Sequence, residues 1–200
     1  MAPVASPGAI ARGDDVVLAG FRKRLAAYAI DVVILGIATA IVGGFIYELL
    51  GVGGFGRGFW LRQQVVNAVS LVFSVLYFAW FHAAYAMATP GKMAVGIKVV
   101  RLDGERISFL RGVGRYLATI PSTLILMIGF LMAGFTRRQQ ALHDMICDTL
   151  VVDRWAFTDQ PQLQRRELGT VTVVVLVLTG SLGALGLLAL LAVLGIAGSS

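Results

Sequence analysis

The chain is poor in the residue types that chemistry on water-soluble scaffolds uses most. One cysteine, Cys147, among 200 residues excludes an intramolecular disulfide, and a lone thiol of this kind is expected to be a small packing residue. Two histidines, His82 and His143, with no HExxH and no Cys/His cluster, leave a transition-metal centre without ligands. No metal or cofactor is expected. Charge is scarce as well: Asp, Glu, Lys and Arg make up 14% of the chain, against about 25% in soluble domains. With a mean hydropathy of +0.82, lipid is the solvent this sequence is built for.

What the chain does have is long apolar runs. Residues 25–47, 65–86 and 170–197 each reach the roughly 20 residues needed to cross about 30 Å of hydrocarbon at 1.5 Å per residue. A fourth run, 116–135, is barely long enough and contains Pro121 and Gly129. No apolar core of signal-peptide length precedes Phe21, and the first apolar run is too long for one. Residues 1–20 are therefore expected to be a flexible tail, followed by a membrane domain over 21–155, a basic linker over 156–169 and a last helix over 170–197.

Basic residues near span ends are retained in the cytoplasm. Arg12, Arg22, Lys23 and Arg24 precede the first span, whereas only Arg57 and Arg62 separate the first from the second. The N-terminus is thus expected in the cytoplasm, and Lys92, Lys98, Arg101, Arg106, Arg111 and Arg115 place the next connection there too. Residues 136–169 carry Arg137, Arg138, Arg154, Arg165 and Arg166, which conflicts with a full crossing at 116–135. IKVVR (97–101), LDGE and RISF read as a β-hairpin with Asp103-Gly104 at its turn, and TLVVD (149–153) is a matching β-branched run. If these strands pair, both connections share one face, and 111–135 is a re-entrant or interfacial helical hairpin broken near Pro121 or Gly129. The alternative is a fourth full span. The fold class expected is an all-α integral membrane protein with three transmembrane helices, one re-entrant or fourth transmembrane segment and a small cytoplasmic β element. It is placed in the cell membrane with its C-terminus outside.

Asp31 is the only acidic residue within the three long runs, and an ionisable group there usually faces the bundle interior or a wet cavity. Arg24, Tyr28 and Asp31 fall on one helical stripe, and His82 reaches the same membrane layer. Asp31 is read either as an architectural acid, holding Arg24 or another base, or as an ion or proton site. Thr89-Pro90-Gly91-Lys92 reads as the turn that ends the second helix. Over 137–148, a helical wheel puts Ala141, Leu142, Met145 and Ile146 on one face and Arg137, Gln140, His143, Asp144, Cys147 and Asp148 on the other, as in an interfacial amphipathic helix. GVGGFG at 51–56 fits G-x-G-x-x-G but follows an apolar run instead of a strand, so it carries no nucleotide signal. A Ser-based triad also lacks its context, and no enzymatic activity is expected.

Three ordered blocks, RKRLAAYAIDVVIL (22–35), TPGKMAVGIKVVRLDGERISFLRGVGRYL (89–117) and RRQQALHDMICDTLVV (137–152), resemble the successive blocks of the RDD family of membrane proteins. The arginine and two aspartates of that family's name match Arg24, Asp31 and Asp144. The resemblance covers about 22–153 and implies a small multi-helix membrane domain, with transport, including sodium/proton exchange, among the activities proposed for members. The family's usual Ala-Gly-Thr after the His-Asp block stands here as Ile146-Cys147-Asp148-Thr149, which adds an acid and a thiol.

Two functions follow as alternatives. One is a small ion- or proton-coupled carrier using Asp31 and Asp144, with Arg24, Tyr28, His82 and His143 around them. The other is a non-transporting membrane scaffold or assembly factor, in which the same residues lock the domain and Gly36, Ala40 and Gly44 permit close helix packing. The net charge of +6 points to a bilayer with anionic headgroups, and the partners expected are a second copy or another membrane protein. No basic-aromatic platform for nucleic acid is visible.

Overall fold

The computed structural model describes residues 16–49, 57–124 and 128–197. Most of the N-terminal tail, the 51–56 glycine stretch and Ser200 lie outside the described residues. Three long helices dominate: α1 (Phe21–Leu49), α2 (Arg57–Ala83) and α8 (Thr170–Ala197). No proline interrupts any of them, and each is long and apolar enough to cross a membrane. Val33, Ile37, Phe45, Val72, Leu182 and Leu188 stand exposed along them, an apolar belt of the kind that lipid or a packed partner helix covers. Beyond Thr172, which is fully buried, the described side chains of α8 are half-buried or exposed.

Between α2 and α8 the chain forms short elements: α3 (Pro90–Val95), β1 (Ile97–Arg101), α4 (Phe109–Leu117), α5 (Thr119–Leu124), α6 (Ile128–Phe135), α7 (Leu142–Ile146) and β2 (Thr149–Asp153). Across 109–135 no described helix exceeds nine residues, a reach of about 14 Å at 1.5 Å per residue. Within that run the described helices are therefore too short to cross singly. Gly112 lets α4 lie against α2, since a Cβ there would stand 2.9 Å from Ala79 Cα.

β1 and β2 pair antiparallel, Ile97 opposite Asp153 and Arg101 opposite Thr149. This corrects the hairpin expected within 97–109. The turn is present, with Gly104 at φ +86 and Arg101 N donating to Glu105 O at 2.8 Å, but Arg106–Ser108 form no strand. Their roles lie elsewhere: Ile107 is buried in the core, and Ser108 Oγ caps α4 by accepting from Arg111 N at 3.2 Å. Freed of that partner, β1 pairs with the other β-branched run. On its opposite edge β2 meets residues 17–19, through a bridge to Leu18 and a 2.8 Å bond from Ala19 N to Val151 O. Residues 17–19, ahead of α1, thus pack on the sheet.

Both faces of the sheet are covered. Val99 and Val151 pack with Ala19, Ala27 of α1 and Ile107 on one side, while Val100, Leu150 and Val152 pack with Ala156, Leu18 and Met87 on the other. Two-sided burial is why these strands read as continuous apolar runs instead of alternating ones. It also seats the sheet directly on the first turns of α1.

Candidate functional site: two buried carboxylates

The sheet and the short helices bring two aspartates into the interior, each with no exposed surface. Asp31, in the second turn of buried positions on α1, accepts three hydrogen bonds: from Tyr77 Oη of α2 at 2.8 Å, from Thr89 Oγ1 at 2.6 Å and from Gly91 N at 2.8 Å. A buried carboxylate needs such donors, because an unsatisfied charge in low dielectric is costly. Among the described residues no lysine or arginine lies within ion-pair distance of it.

The TPGK stretch supplies two of those donors, and it opens a helix instead of closing one. α2 already ends at Ala83. Thr89 is the N-cap of α3, accepting from Lys92 N at 3.3 Å, and Pro90 occupies the first turn, where its missing N–H is no loss. Gly91 serves close approach and not turning: a Cβ would overlap Ala27 O and stand 2.7 Å from Asp31 Oδ1. Only glycine lets α3 dock on α1 with its amide aimed at the carboxylate.

Asp144 is built differently. Arg24 of α1 donates Nη1 to its Oδ2, and Arg115 of α4 donates Nη2 and Nε to its Oδ1, the latter at 3.1 Å. Ala141 N adds a bond to Oδ2 at 3.0 Å. Each arginine is fixed by further acceptors: Arg24 by Ala19 O at 2.8 Å and Gln139 O at 2.5 Å, and Arg115 by Thr149 Oγ1 at 3.2 Å. Burial opposes the charge on Asp144, but Arg115 and Arg24 outweigh it and hold the carboxyl well below the usual range.

The sequence placed Arg24, Tyr28 and Asp31 on one stripe; the structure sends them to three destinations. Arg24 goes to Asp144 and Asp31 to Tyr77, Thr89 and Gly91, while Tyr28 is about half exposed and stacks on Phe78, with ring centroids 6.5 Å apart. His82 is buried beside Phe78 with neither ring nitrogen hydrogen-bonded among the described residues. His143 is buried with Nε2 3.5 Å from Asp144 Oδ1. Burial first, then Arg115, lowers its pKa to about 3, so at neutral pH this contact is dipolar and not an ion pair.

The amphipathic reading of 137–148 holds at Ala141, which is buried, and at Arg137 and Asp148, which are exposed, but is reversed between them. Only Leu142–Ile146 is helical, and it buries His143 and Asp144 while Met145 and Ile146 are exposed. A polar face turns inward here because two guanidiniums wait for it. Tyr77, Thr89 and Arg115 were missed as site residues.

Lys92 completes the cluster, its Nζ 5.5 Å over the Phe78 ring. Burial first, then the nearby Arg115, lowers its pKa from 10.5 to about 7. Between those values the unfolded chain holds a proton that the folded chain does not, so stability rises with pH across that window. The thermal unfolding midpoint in detergent is expected to climb between pH 7 and pH 9, and Lys92→Met should flatten the climb. An undiminished slope in the variant would assign it to other groups.

Against known proteins, residues 18–148 match the RDD family. The chain is 36% identical over 146 residues to the Bacillus subtilis (strain 168) protein named "Uncharacterized protein YxaI", an overlap of 67% of this chain and 96% of that one. It is 33% identical over 94 residues to "Uncharacterized membrane protein YteJ" of the same organism, covering 43% of this chain and 54% of that protein. No solved structure matches significantly. With Arg24, Asp31 and Asp144 inside the matched region and the match spanning more than half of its length, the chain belongs to the RDD family.

Proposed function

We propose that this protein is a non-transporting membrane scaffold or assembly factor, without a catalytic step, in which the two aspartates lock a surface module onto the membrane helices. The observation that carries this reading is the number of protein donors on each buried carboxylate. Asp31 is held by three donors, and Asp144 by two arginines and a backbone amide. A carboxylate that loads and releases ions must offer lone pairs to a hydrated path; these instead fasten α1, α2, α3, α4 and α7 together. Buried acids held by several protein donors support a role in fixing one arrangement of the helices.

The topology we propose follows from strand pairing. β1 and β2 are hydrogen-bonded neighbours and β2 also touches residues 17–19, so the N-terminal side of α1, the α2–β1 connection and the 154–169 linker belong on one membrane face. The chain between β1 and β2 then returns to the face it left, which makes α4–α6 a re-entrant hairpin. The basic residues on that face assign it to the cytoplasm, in a cell membrane, and send α8 outward. The partner we propose is a second copy or another membrane protein. In support, a groove of about 380 Å³ between α1 and α2 has Gly36, Thr39, Ala40, Ser70 and Ser74 along it and larger side chains, among them Leu35, Phe78 and Tyr116, around them; small residues of this kind let a partner helix approach closely.

The competing reading, an ion- or proton-coupled carrier, draws on Lys92, with its pKa lowered to about 7, and on His82, whose ring nitrogens have no hydrogen-bond partner among the described residues. Proteoliposomes of the purified chain separate the two. Under the scaffold reading they show no proton or sodium flux across an imposed pH gradient. Flux that vanishes in a folded Asp31→Asn variant would establish the carrier. On the same vesicles in a Cys147→Ser background, thiol labelling at introduced sites 106, exposed beside the turn, and 160 is expected from one side and at 199 from the other. Sites 106 and 160 on opposite sides would overturn the re-entrant hairpin.

A further inference from the structure

We propose that the groove where α1 and α8 begin is a binding site for the headgroup of an anionic phospholipid. It is an open cleft of about 910 Å³ whose walls include Arg22, Lys23 and Arg166 on the polar side and Leu131, Phe135 and Leu168 on the apolar side. The position is set by the spans: α1 starts at Phe21 and α8 at Thr170, so the cleft opens at the level where headgroups meet hydrocarbon. Among the described residues no acidic side chain lines it; Glu167 follows Arg166 in the chain but is not part of the wall.

The two arginines and the lysine do different things. Lys23 is buried, and its Nζ donates to Arg165 O at 2.6 Å, which ties the linker to α1 and fixes the cleft's width. Arg22 and Arg166 are exposed and make no ion pair among the described residues, so both guanidiniums are available to phosphate oxygens. Paired N–H donors suit phosphate geometry. Phe135, 90% exposed at the rim, and Leu131 offer the apolar wall an acyl chain would follow. A soluble anion has no use for that wall. A phospholipid uses both halves, and anionic headgroups are drawn to basic residues at this depth. The inference rests on α1 and α8 crossing the bilayer and is independent of the scaffold reading.

Native mass spectrometry of the full chain, released from detergent with equal amounts of phosphatidylglycerol and phosphatidylcholine, tests it. Bound phosphatidylglycerol is expected to exceed phosphatidylcholine, and each arginine removed should lower that preference about fivefold, the worth of one basic residue near a membrane surface. Arg22→Gln with Arg166→Gln should therefore abolish it, while Arg22→Lys with Arg166→Lys keeps most of it. Arg137→Gln with Arg138→Gln, the same charge removed from exposed positions outside the cleft, should leave it intact. Equal losses from both glutamine pairs would mean diffuse attraction and overturn the site. So would a wild-type chain without preference, or a preference seen only after Asp14→Asn and Asp15→Asn, which would make the chain's own acidic pair the occupant.

Discussion

Asp144→Ala is expected to be the most damaging single substitution in the chain, lowering the stability of the folded protein by about 3–5 kcal/mol, the usual cost of stripping the partner from buried charge. The reason is local. Arg24 and Arg115 both aim at this carboxylate, both are anchored by other acceptors, and neither can turn away to water. Removing the acid leaves two guanidiniums facing one another and takes the bond from Ala141 N that shapes the start of α7. Asp144→Asn keeps the volume but not the charge, so most of the loss should remain. Titrating the detergent-solubilised protein with a denaturing detergent and following helicity reads the loss. A midpoint unchanged from wild type would show that the arginines find other partners.

Gly91→Ala is expected to be nearly as severe, although it adds only one methyl group. The new Cβ would overlap Ala27 O and crowd Asp31, and a Cβ has no rotamer by which to escape. α3 must therefore move away from α1, and the amide that serves Asp31 moves with it. Overpacking of this kind costs about 1–3 kcal/mol, to which the loss of a charge-assisted hydrogen bond is added. Ala94, exposed on the same helix, supplies the control: Ala94→Ser should change little. Folded yields that fall equally for both would remove the close approach from the account.

These expectations show where sequence reasoning reached and where it stopped. Hydropathy placed α1, α2 and α8 to within a few residues at most ends, because twenty apolar residues have one physical use. Asp31 was legible for the same reason, as an acid where acids are costly. Its partners were not: Tyr77 sits inside an apolar run, and Thr89 and Gly91 read as a helix stop because their tertiary role depends on α1 lying beneath them. Arg24 and Asp144 are 120 residues apart, and helical spacing alone favoured the nearer Asp31. Arg115 was lost among six basic residues read only as a signal of the cytoplasmic side. The helical wheel over 137–148 failed at its centre, from His143 to Ile146, because it assumes that apolar faces are the buried ones and two arginines draw Asp144 inward. The strand run 149–153 was visible, whereas its pairing depended on Ile107 and Ser108 being required elsewhere.

The most direct test of the account is a double-mutant cycle on Arg24 and Asp144, with Arg24 and Asp31 as the reference pair, measured as unfolding free energy in detergent. If the Arg24–Asp144 contact is an architectural clamp, Arg24→Gln relieves part of the strain that Asp144→Asn creates. The double variant should then be more stable than the sum of the single losses predicts, by about 0.5–3 kcal/mol, the range of contacting pairs. Arg24→Gln and Asp31→Asn, whose side chains serve separate partners, should combine additively within about 0.5 kcal/mol. Additive losses for Arg24 with Asp144, or coupling that appears instead between Arg24 and Asp31, would contradict it.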